Sequence, residues 1–245
     1  MDTHPAPPPH AGFTLIEIAM VLVIMALLVG GTLLGRDLIR SAELRTIVTD
    51  AETYRIAITN YREKYRYLPG DDINASQMWA SCTDVGAHLC NGNGDGLVEK
   101  RPGWHYEGIR AWQHLSLAGM VPGSYDGSVA GSPFHRPGGN VPASEVVPAA
   151  SYELFYEVTA RHHWLRYGTD VTSMDTLEGG AISPEDALSL DNKVDDGTAS
   201  TGKLTARDSV RYMGGPVGPV FCLNSGDYDL SITDPNCNLL FSAGL

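Results

Sequence analysis

An apolar stretch near the N-terminus decides the architecture of the chain. Residues 12–35 have the sequence GFTLIEIAMVLVIMALLVGGTLLG. Residues 18–35 carry no charge, and residues 13–34 are long enough as a helix to cross a bilayer. Glu17 is the one charged residue of the stretch. An ionised carboxylate in hydrocarbon costs about 2.5–3.5 kcal/mol on insertion scales, so the sequence predicts a partner for Glu17, expected on another chain.

A second helical segment follows the apolar stretch. Residues 36–67 contain neither Gly nor Pro and place apolar side chains at mixed three- and four-residue spacing, which is the period of an amphipathic helix. The sequence Pro-Gly-Asp-Asp at residues 69–72 ends that pattern. We therefore predict one helix of about 50 residues, with a membrane-spanning half over residues 13–35 and an amphipathic half over residues 36–68.

The hexapeptide GFTLIE at residues 12–17 resembles the processing site of type IV prepilins and type II secretion pseudopilins. In that family a membrane aspartic peptidase cuts after the glycine and methylates the new amino terminus. The resemblance implies that residues 1–12 form a leader, that Gly12 precedes the cut and that Phe13 becomes the methylated terminus. It also implies that Glu17 meets the amine of a neighbouring subunit during assembly.

The same resemblance implies partners and a location. The partners are the prepilin peptidase, homologous pilin or pseudopilin subunits and an inner-membrane assembly platform. The chain is expected to cross the bacterial inner membrane once, with its head in the periplasm, before it enters a pilus or pseudopilus. A secretory signal peptide fits poorly because the leader lacks Lys and Arg and the apolar run is too long. An uncleaved signal anchor remains the alternative.

The remainder of the chain, residues 69–245, is predicted to form a globular head. It is rich in glycine and contains short strand-like runs at residues 152–158, 217–223 and 239–241, with a short helix expected at residues 112–118. Together with the leading helix, these runs predict an α+β fold. A small antiparallel sheet is expected to pack on the amphipathic half-helix, as in pilins.

The four cysteines fall as two close pairs, Cys82 with Cys90 and Cys222 with Cys237. In a head outside the cytoplasm, an even count of this kind favours two local disulfides over free thiols. A zinc site is a poor alternative because neither pair has the two-residue gap of a zinc knuckle. The second pair resembles the disulfide-bounded loop that closes many type IV pilin heads.

One oxygen-rich loop suggests calcium, the only cofactor to which the sequence points. Asn91, Asn93 and Asp95 alternate as in the first half of an EF-hand loop. Pro102 occupies the twelfth position, where an EF-hand needs a glutamate, so a true EF-hand is rejected. A shorter calcium loop closed by Glu99 is the remaining expectation.

A second acidic cluster surrounds Asp191, Asp195 and Asp196, with Asp186 nearby. Carboxylates at this density repel one another unless water or a cation neutralises them. Calcium binding is a weaker prediction for this cluster than for the loop closed by Glu99, and a solvated turn at residues 196–197 is the alternative. The resemblance adds weight to calcium, because major pseudopilins use a bound calcium to hold a C-terminal loop.

Composition and motifs argue against several classes of function. The chain has 17 Lys plus Arg against 29 Asp plus Glu, for a formal net charge of -12, which disfavours nucleic acid as the main partner. It shows no nucleophile elbow, zincin pair, P-loop or dinucleotide fingerprint, so no enzyme is expected. The predicted function is a structural subunit of a type IV pilus or a type II secretion pseudopilus. A membrane-anchored extracytoplasmic calcium-binding adhesin or enzyme using the same anchor is the alternative.

Overall fold

A computed structural model of the chain describes residues 14–82, 90–99, 106–128, 134–171, 176–212 and 217–245. The chain divides into two units, Met1–Glu43 and Leu44–Leu245. The second unit begins within the long helix, so the predicted head at residues 69–245 is joined by most of the amphipathic half-helix.

The secondary structure confirms the predicted α+β class. The helices are α1 (Leu15–Tyr65), α2 (Ala75–Met78), α3 (Glu107–Leu117) and α4 (Pro184–Val194). The strands are β1 (Ala150–Glu157), β2 (His162–Thr169), β3 (Leu204–Tyr212), β4 (Val217–Val220), β5 (Leu223–Asn224), β6 (Asp227–Tyr228) and β7 (Cys237–Ser242). The long N-terminal helix is confirmed, with 51 residues in α1.

The first unit presents an apolar surface along α1. Large hydrophobic side chains from Leu15 to Val29 are exposed, and this part of the helix is long and apolar enough to cross a membrane. Burial of such side chains away from water is worth roughly 1.5–3 kcal/mol each. The isolated chain leaves that free energy unused, as expected of a segment that lipid or other helices cover.

Within the second unit, the remainder of α1 buries one face. The buried side chains recur at three- and four-residue intervals and are Leu44, Ile47, Ala51, Tyr54, Ile58 and Tyr61. Tyr54 meets Trp112 of α3 and Tyr152 of β1 edge-on, with ring centroids 4.9 and 5.0 Å away. The predicted amphipathic periodicity is therefore confirmed, and this face forms one side of the hydrophobic core.

The long helix ends slightly before the predicted boundary at residue 68. Arg66 has a φ of 71°, and its N–H donates to the carbonyl of Arg62 at 2.9 Å. A residue in the left-handed conformation directly after the last helical turn is a common way for a helix to stop. Pro69 then prevents any resumption of the helix.

In the described part of the chain, five strands form one antiparallel sheet in the order β1-β2-β7-β3-β4. The last strand, β7, therefore lies in the centre, and its first five residues are buried. The predicted runs at residues 152–158 and 239–241 correspond to β1 and β7. The strands β2 and β3 and the helix α4 were not predicted, because polar residues interrupt their apolar patterns.

The predicted single run at residues 217–223 is wrong, because the structure divides it between β4 and β5. The carboxylate of Asp208 accepts the N–H groups of Cys222 and Leu223 at 2.8 and 2.9 Å. These two N–H groups therefore bind a side chain and are not available to continue the pairing of β4 in the sheet. The short β5–β6 hairpin then begins at Leu223.

A buried ionic network lies among β1, β2 and the adjoining loops. His135 places Nδ1 3.0 Å from Asp170 and Nε2 3.6 Å from Glu153. Arg166 lies 3.5 Å from Glu153 and 3.1 Å from Glu178. His135, Glu153 and Arg166 are all almost fully buried. Buried charges of this kind need one another, because removal of one partner leaves the other uncompensated.

This network predicts a loss of stability at alkaline pH. Burial by itself lowers the pKa of His135, but the carboxylates of Asp170 and Glu153 outweigh it and raise the pKa to about 9. Since the unfolded value is about 6.5, the stabilisation is fully present below that pH and is lost as the pH rises through about 9. It amounts to on the order of 2–4 kcal/mol.

We therefore expect the free energy of unfolding to fall between pH 7 and 9.5, measured by urea unfolding of the full chain in a neutral detergent. The variant His135→Gln has no proton to lose at this position, so its stability should fall less over the same range. Equal pH slopes for the two chains would contradict the assignment.

Candidate functional site

The first turn of α1 is held by a reciprocal cap between Thr14 and Glu17. The backbone N–H and the hydroxyl of Thr14 both donate to Oε2 of Glu17 at 2.8 Å. The N–H of Glu17 donates in return to the Thr14 hydroxyl at 3.3 Å. This is the capping-box arrangement, which satisfies N–H groups that a helix start otherwise leaves free. The Glu17 side chain stays exposed and can be reached by a donor from another chain.

The structure places only part of the predicted processing site. Gly12 and Phe13 lie outside the described residues, whereas Glu17 lies in the first turn of α1. Directly after it, α1 presents the exposed apolar side chains of the first unit. A polar, capped start followed by an uncovered apolar helix is therefore what the described residues show at this end.

The loop for which calcium was predicted wraps around Asp71, a residue that the sequence had suggested only as part of a helix stop. The carboxylate of Asp71 is 1% exposed and accepts the backbone N–H groups of Gly94, Asp95 and Gly96. Successive N–H groups that converge in this way form a concave site for an anion. The glycines serve this geometry, since Gly94 and Gly96 have φ values of 78° and 84°.

A second buried carboxylate, Glu107 in the first turn of α3, holds the same loop. It accepts the N–H of Asn93 at 3.2 Å and the N–H of Glu99 at 2.9 Å. Burial raises the pKa of Glu107 to about 8 and that of Asp71 to about 6. These two carboxylates fix the loop from within, and sequence reasoning missed both because neither belongs to the alternating pattern of the loop.

The predicted ligands of the loop are already engaged. The Asn91 side-chain oxygen accepts the N–H of Ser76 at 2.8 Å. The side-chain oxygen of Asn93 accepts the N–H of Asp95, and Oδ1 of Asp95 accepts the N–H of Leu97. The contacts of Asn93 and Asp95 are local turn contacts of the Asx type, whereas Asn91 binds a residue 15 positions earlier. Glu99, the predicted closing ligand, donates its N–H to Glu107. Calcium at this loop stays a prediction.

The structure joins Cys82 with Cys90 and Cys222 with Cys237 in disulfides, as their spacing predicts. His114 lies against the first pair and is completely buried. Its Nδ1 accepts the N–H of Gly70 at 2.9 Å, and Nε2 lies 3.0 Å from the Cys90 carbonyl, to which it therefore donates. Burial lowers the pKa of His114 to about 4. Both ring nitrogens of His114 are hydrogen-bonded, so this side chain is a structural contact to the disulfide between Cys82 and Cys90.

The second acidic cluster does come together. Side-chain oxygens of Asp191, Asp195 and Asp196 lie within 4.8 Å of one another. Asp191 is buried, and its Oδ1 lacks a partner at full hydrogen-bonding geometry in the described part of the chain. Burial raises the pKa of this carboxyl, although the backbone N–H of Gly197 lies close enough to oppose that shift. Its Oδ2 accepts the Tyr228 hydroxyl at 2.8 Å. A buried carboxylate oxygen without a donor at full hydrogen-bonding geometry, next to two more carboxylates, is a donor set that suits a hard cation.

The other oxygens of the cluster organise the turn after α4. Asp195 accepts the N–H groups of Lys203 and Leu204 through Oδ2. Asp196 accepts the Thr198 N–H and the Thr201 hydroxyl at 2.8 and 2.7 Å. Asp186 lies apart, where it accepts the hydroxyl of Ser183, the N-cap residue of α4.

The adjacent histidines of β2 are structural. The ring Nε2 of His163 accepts the N–H of Val98 at 3.3 Å, while Nε2 of His162 lies 2.8 Å from the hydroxyl of Ser242. Neighbouring residues of a strand point to opposite faces, so the two rings do not converge on one ligand.

Residues 8–33 match the family model of the prokaryotic N-terminal methylation motif. No curated protein and no solved structure matches the chain. The matched residues include the glycine, the following phenylalanine and the glutamate of the sequence resemblance.

The motif and the fold agree with each other. A long N-terminal helix with an apolar first part leads into a small antiparallel sheet. The chain therefore carries a prokaryotic N-terminal methylation motif ahead of a pilin-like α+β fold, which is consistent with the type IV pilin and pseudopilin family.

Proposed function

We propose that the chain is a structural subunit that is cleaved after Gly12, N-methylated at Phe13 and polymerised through α1 into a type IV pilus or type II secretion pseudopilus. The observation that carries the proposal is the methylation motif at residues 8–33, followed directly by the uncovered apolar surface of α1. Before assembly the subunit is stored in the inner membrane with its head in the periplasm.

The assembly step rests on the charge of Glu17. Cleavage after Gly12 frees the amine of Phe13, and its positive charge pairs with Glu17 of an adjacent subunit. In the single chain, Thr14 supplies the donors to Glu17. Exchange of a neutral hydroxyl for a cation strengthens the contact, since charge-assisted hydrogen bonds are roughly twice as strong as neutral ones.

This pairing also selects an axial register between subunits. A shift of one helix along the other would leave the carboxylate unpaired among apolar side chains, which is costly at low dielectric. The apolar side chains of α1 supply the packing between subunits, and the peptidase and the assembly platform supply the processing and the delivery.

The test is mass spectrometry of the N-terminus from native membranes and from sheared surface material. A chain that begins at N-methylated Phe13 supports the proposal, and its presence in the sheared fraction favours a pilus over a pseudopilus. An intact Met1 terminus in cells with an active prepilin peptidase would overturn it. The anchor would then be uncleaved, and the head would be the functional part.

A second proposal concerns calcium at the Asp191 cluster. The Oδ1 of Asp191, which lacks a partner at full hydrogen-bonding geometry in the described part of the chain, and the two neighbouring carboxylates favour it. Asp191, Asp195 and Asp196 would hold the ion, which would neutralise their mutual repulsion. Because Asp191 also binds Tyr228 of β6, the ion would tie the end of α4 to the loop enclosed by Cys222 and Cys237.

We expect calcium to stabilise the full chain in neutral detergent by about 2.7 kcal/mol at a hundredfold excess over its Kd. Thermal unfolding with added calcium, magnesium or chelator measures this effect. The variant Asp191→Asn keeps an oxygen for Tyr228 but loses the charge, and it should lose the calcium response. Asp95→Asn, in the other predicted loop, is the matched control and should keep it. A response that survives Asp191→Asn would contradict this site.

A further inference from the structure

A pocket of about 420 Å³ lies between the C-terminal end of α1 and the turn that joins β1 to β2. Arg62 and Arg66 line it from the helix end, and Arg161 lines it from the turn. Tyr67 and Tyr156 also line the pocket. All of these residues belong to the second unit.

The three arginines of this pocket lack acidic partners. Elsewhere in the described part of the chain, Arg55 pairs with Glu52 and Arg136 pairs with Asp126. No ion pair or side-chain hydrogen bond engages Arg62, Arg66 or Arg161 among the described residues. The three arginines are exposed, and they line one pocket in a chain with a net charge of -12.

Two of these arginines occupy costly backbone positions. Arg66 has a φ of 71° and Arg161 a φ of 49°. An L residue other than glycine is disfavoured in the left-handed region, and both a helix end and a hairpin turn normally use glycine there. Backbone strain of this kind is retained where the side chain does something that offsets it.

The pocket is also lined by tyrosine and histidine side chains, by Asp71 and by Leu245. No described residue hydrogen-bonds the hydroxyl groups of Tyr67 or Tyr156. His163 accepts the N–H of Val98 through Nε2, so Nδ1 carries the proton of the neutral ring. Burial, with the charges of His162 and Arg62, lowers the pKa of His163 to about 4. Asp71 also lines the pocket, but backbone N–H groups already bind both of its oxygens.

We propose that this pocket binds free inorganic phosphate. The guanidinium fork matches the oxygens of a phosphate and is poorly used on a single halide ion. Three forks and two phenol donors together exceed what a single carboxylate accepts. The inference goes beyond the proposed function, because polymerisation through α1 needs no ligand at this place.

Calorimetric titration of the full chain with inorganic phosphate, in neutral detergent at low ionic strength, tests the proposal. Arg62→Gln and Arg161→Gln should each weaken binding at least tenfold. Lys64→Gln is the matched control, because Lys64 lies on the same helix and contacts the Tyr65 ring but does not line the pocket. Its affinity should stay within twofold of the native value. No binding by the native chain, or an equal loss in all three variants, would overturn the site.

Arg161→Gly separates binding from folding. Glycine relieves the left-handed strain, so this variant should have a higher Tm while it loses affinity for phosphate. Unchanged phosphate affinity in this variant would overturn the role of the arginine.

Discussion

Replacement of Glu17 by Val is expected to reduce the yield of assembled filaments at least tenfold while cleavage after Gly12 continues. A tenfold effect requires only about 1.4 kcal/mol, which is less than the cost of an unpaired charge in an apolar bundle. The peptidase cuts upstream of this residue, so the processed subunit should accumulate in the membrane. Filament yield is measured in the sheared fraction, and the terminus by mass spectrometry.

Two further variants separate the charge of Glu17 from its role as a helix cap. Glu17→Gln keeps the size of the side chain and part of the cap but removes the negative charge, so it should assemble as poorly as the valine variant. Thr14→Val removes the hydroxyl that Glu17 now contacts and leaves the carboxylate, so it should assemble. Normal filaments from Glu17→Val would show that the carboxylate has no part in assembly.

Glu153→Gln is expected to lower the free energy of unfolding by about 3–5 kcal/mol. The Glu153 carboxylate is 3% exposed and lies between His135 and Arg166. It also accepts the N–H of Leu177 at 3.4 Å. Loss of its charge leaves two buried cations with less compensation, and Asp170 and Glu178 are the acids that remain.

Glu157→Gln on the same strand is the control for this experiment. Glu157 pairs with Arg207 at 2.7 Å near the surface, where the side chains of Arg207 and Glu157 are 45% and 21% exposed. Surface pairs contribute about 0–1 kcal/mol, so this variant should stay within that range. Urea unfolding of the full chain at pH 7 measures both variants. Similar losses in the two would mean that the buried network carries no special share of the stability.

The long helix and the two disulfides were predictable because each depends on residues that are close in sequence. The apolar run and the three- and four-residue spacing after it describe a helix whatever surrounds it. Cys82 and Cys90 are separated by 8 residues and Cys222 and Cys237 by 15, so local pairing needs little loop closure. The same locality explains why the methylation motif could be found from a single hexapeptide.

The loop at residues 91–96 shows where local reasoning stops. Alternating Asn, Gly and Asp residues are common to calcium loops and to turns around an anion, and the sequence does not say which partner lies inside. In the structure the backbone N–H groups of this loop face Asp71, which precedes Gly94 by 23 residues. Glu107, which follows the loop in the sequence and lies in α3, contacts the same loop.

Sequence by itself determined the N-terminal helix, its apolar and amphipathic halves and the cysteine pairs, because period and spacing are local properties. Tertiary structure alone decided the central place of β7, the ionic network around Glu153 and the meeting of Arg62 with Arg161 at one pocket. These features join residues far apart in the chain. Their free energies depend on burial and on distances between charges, which only the packed chain sets.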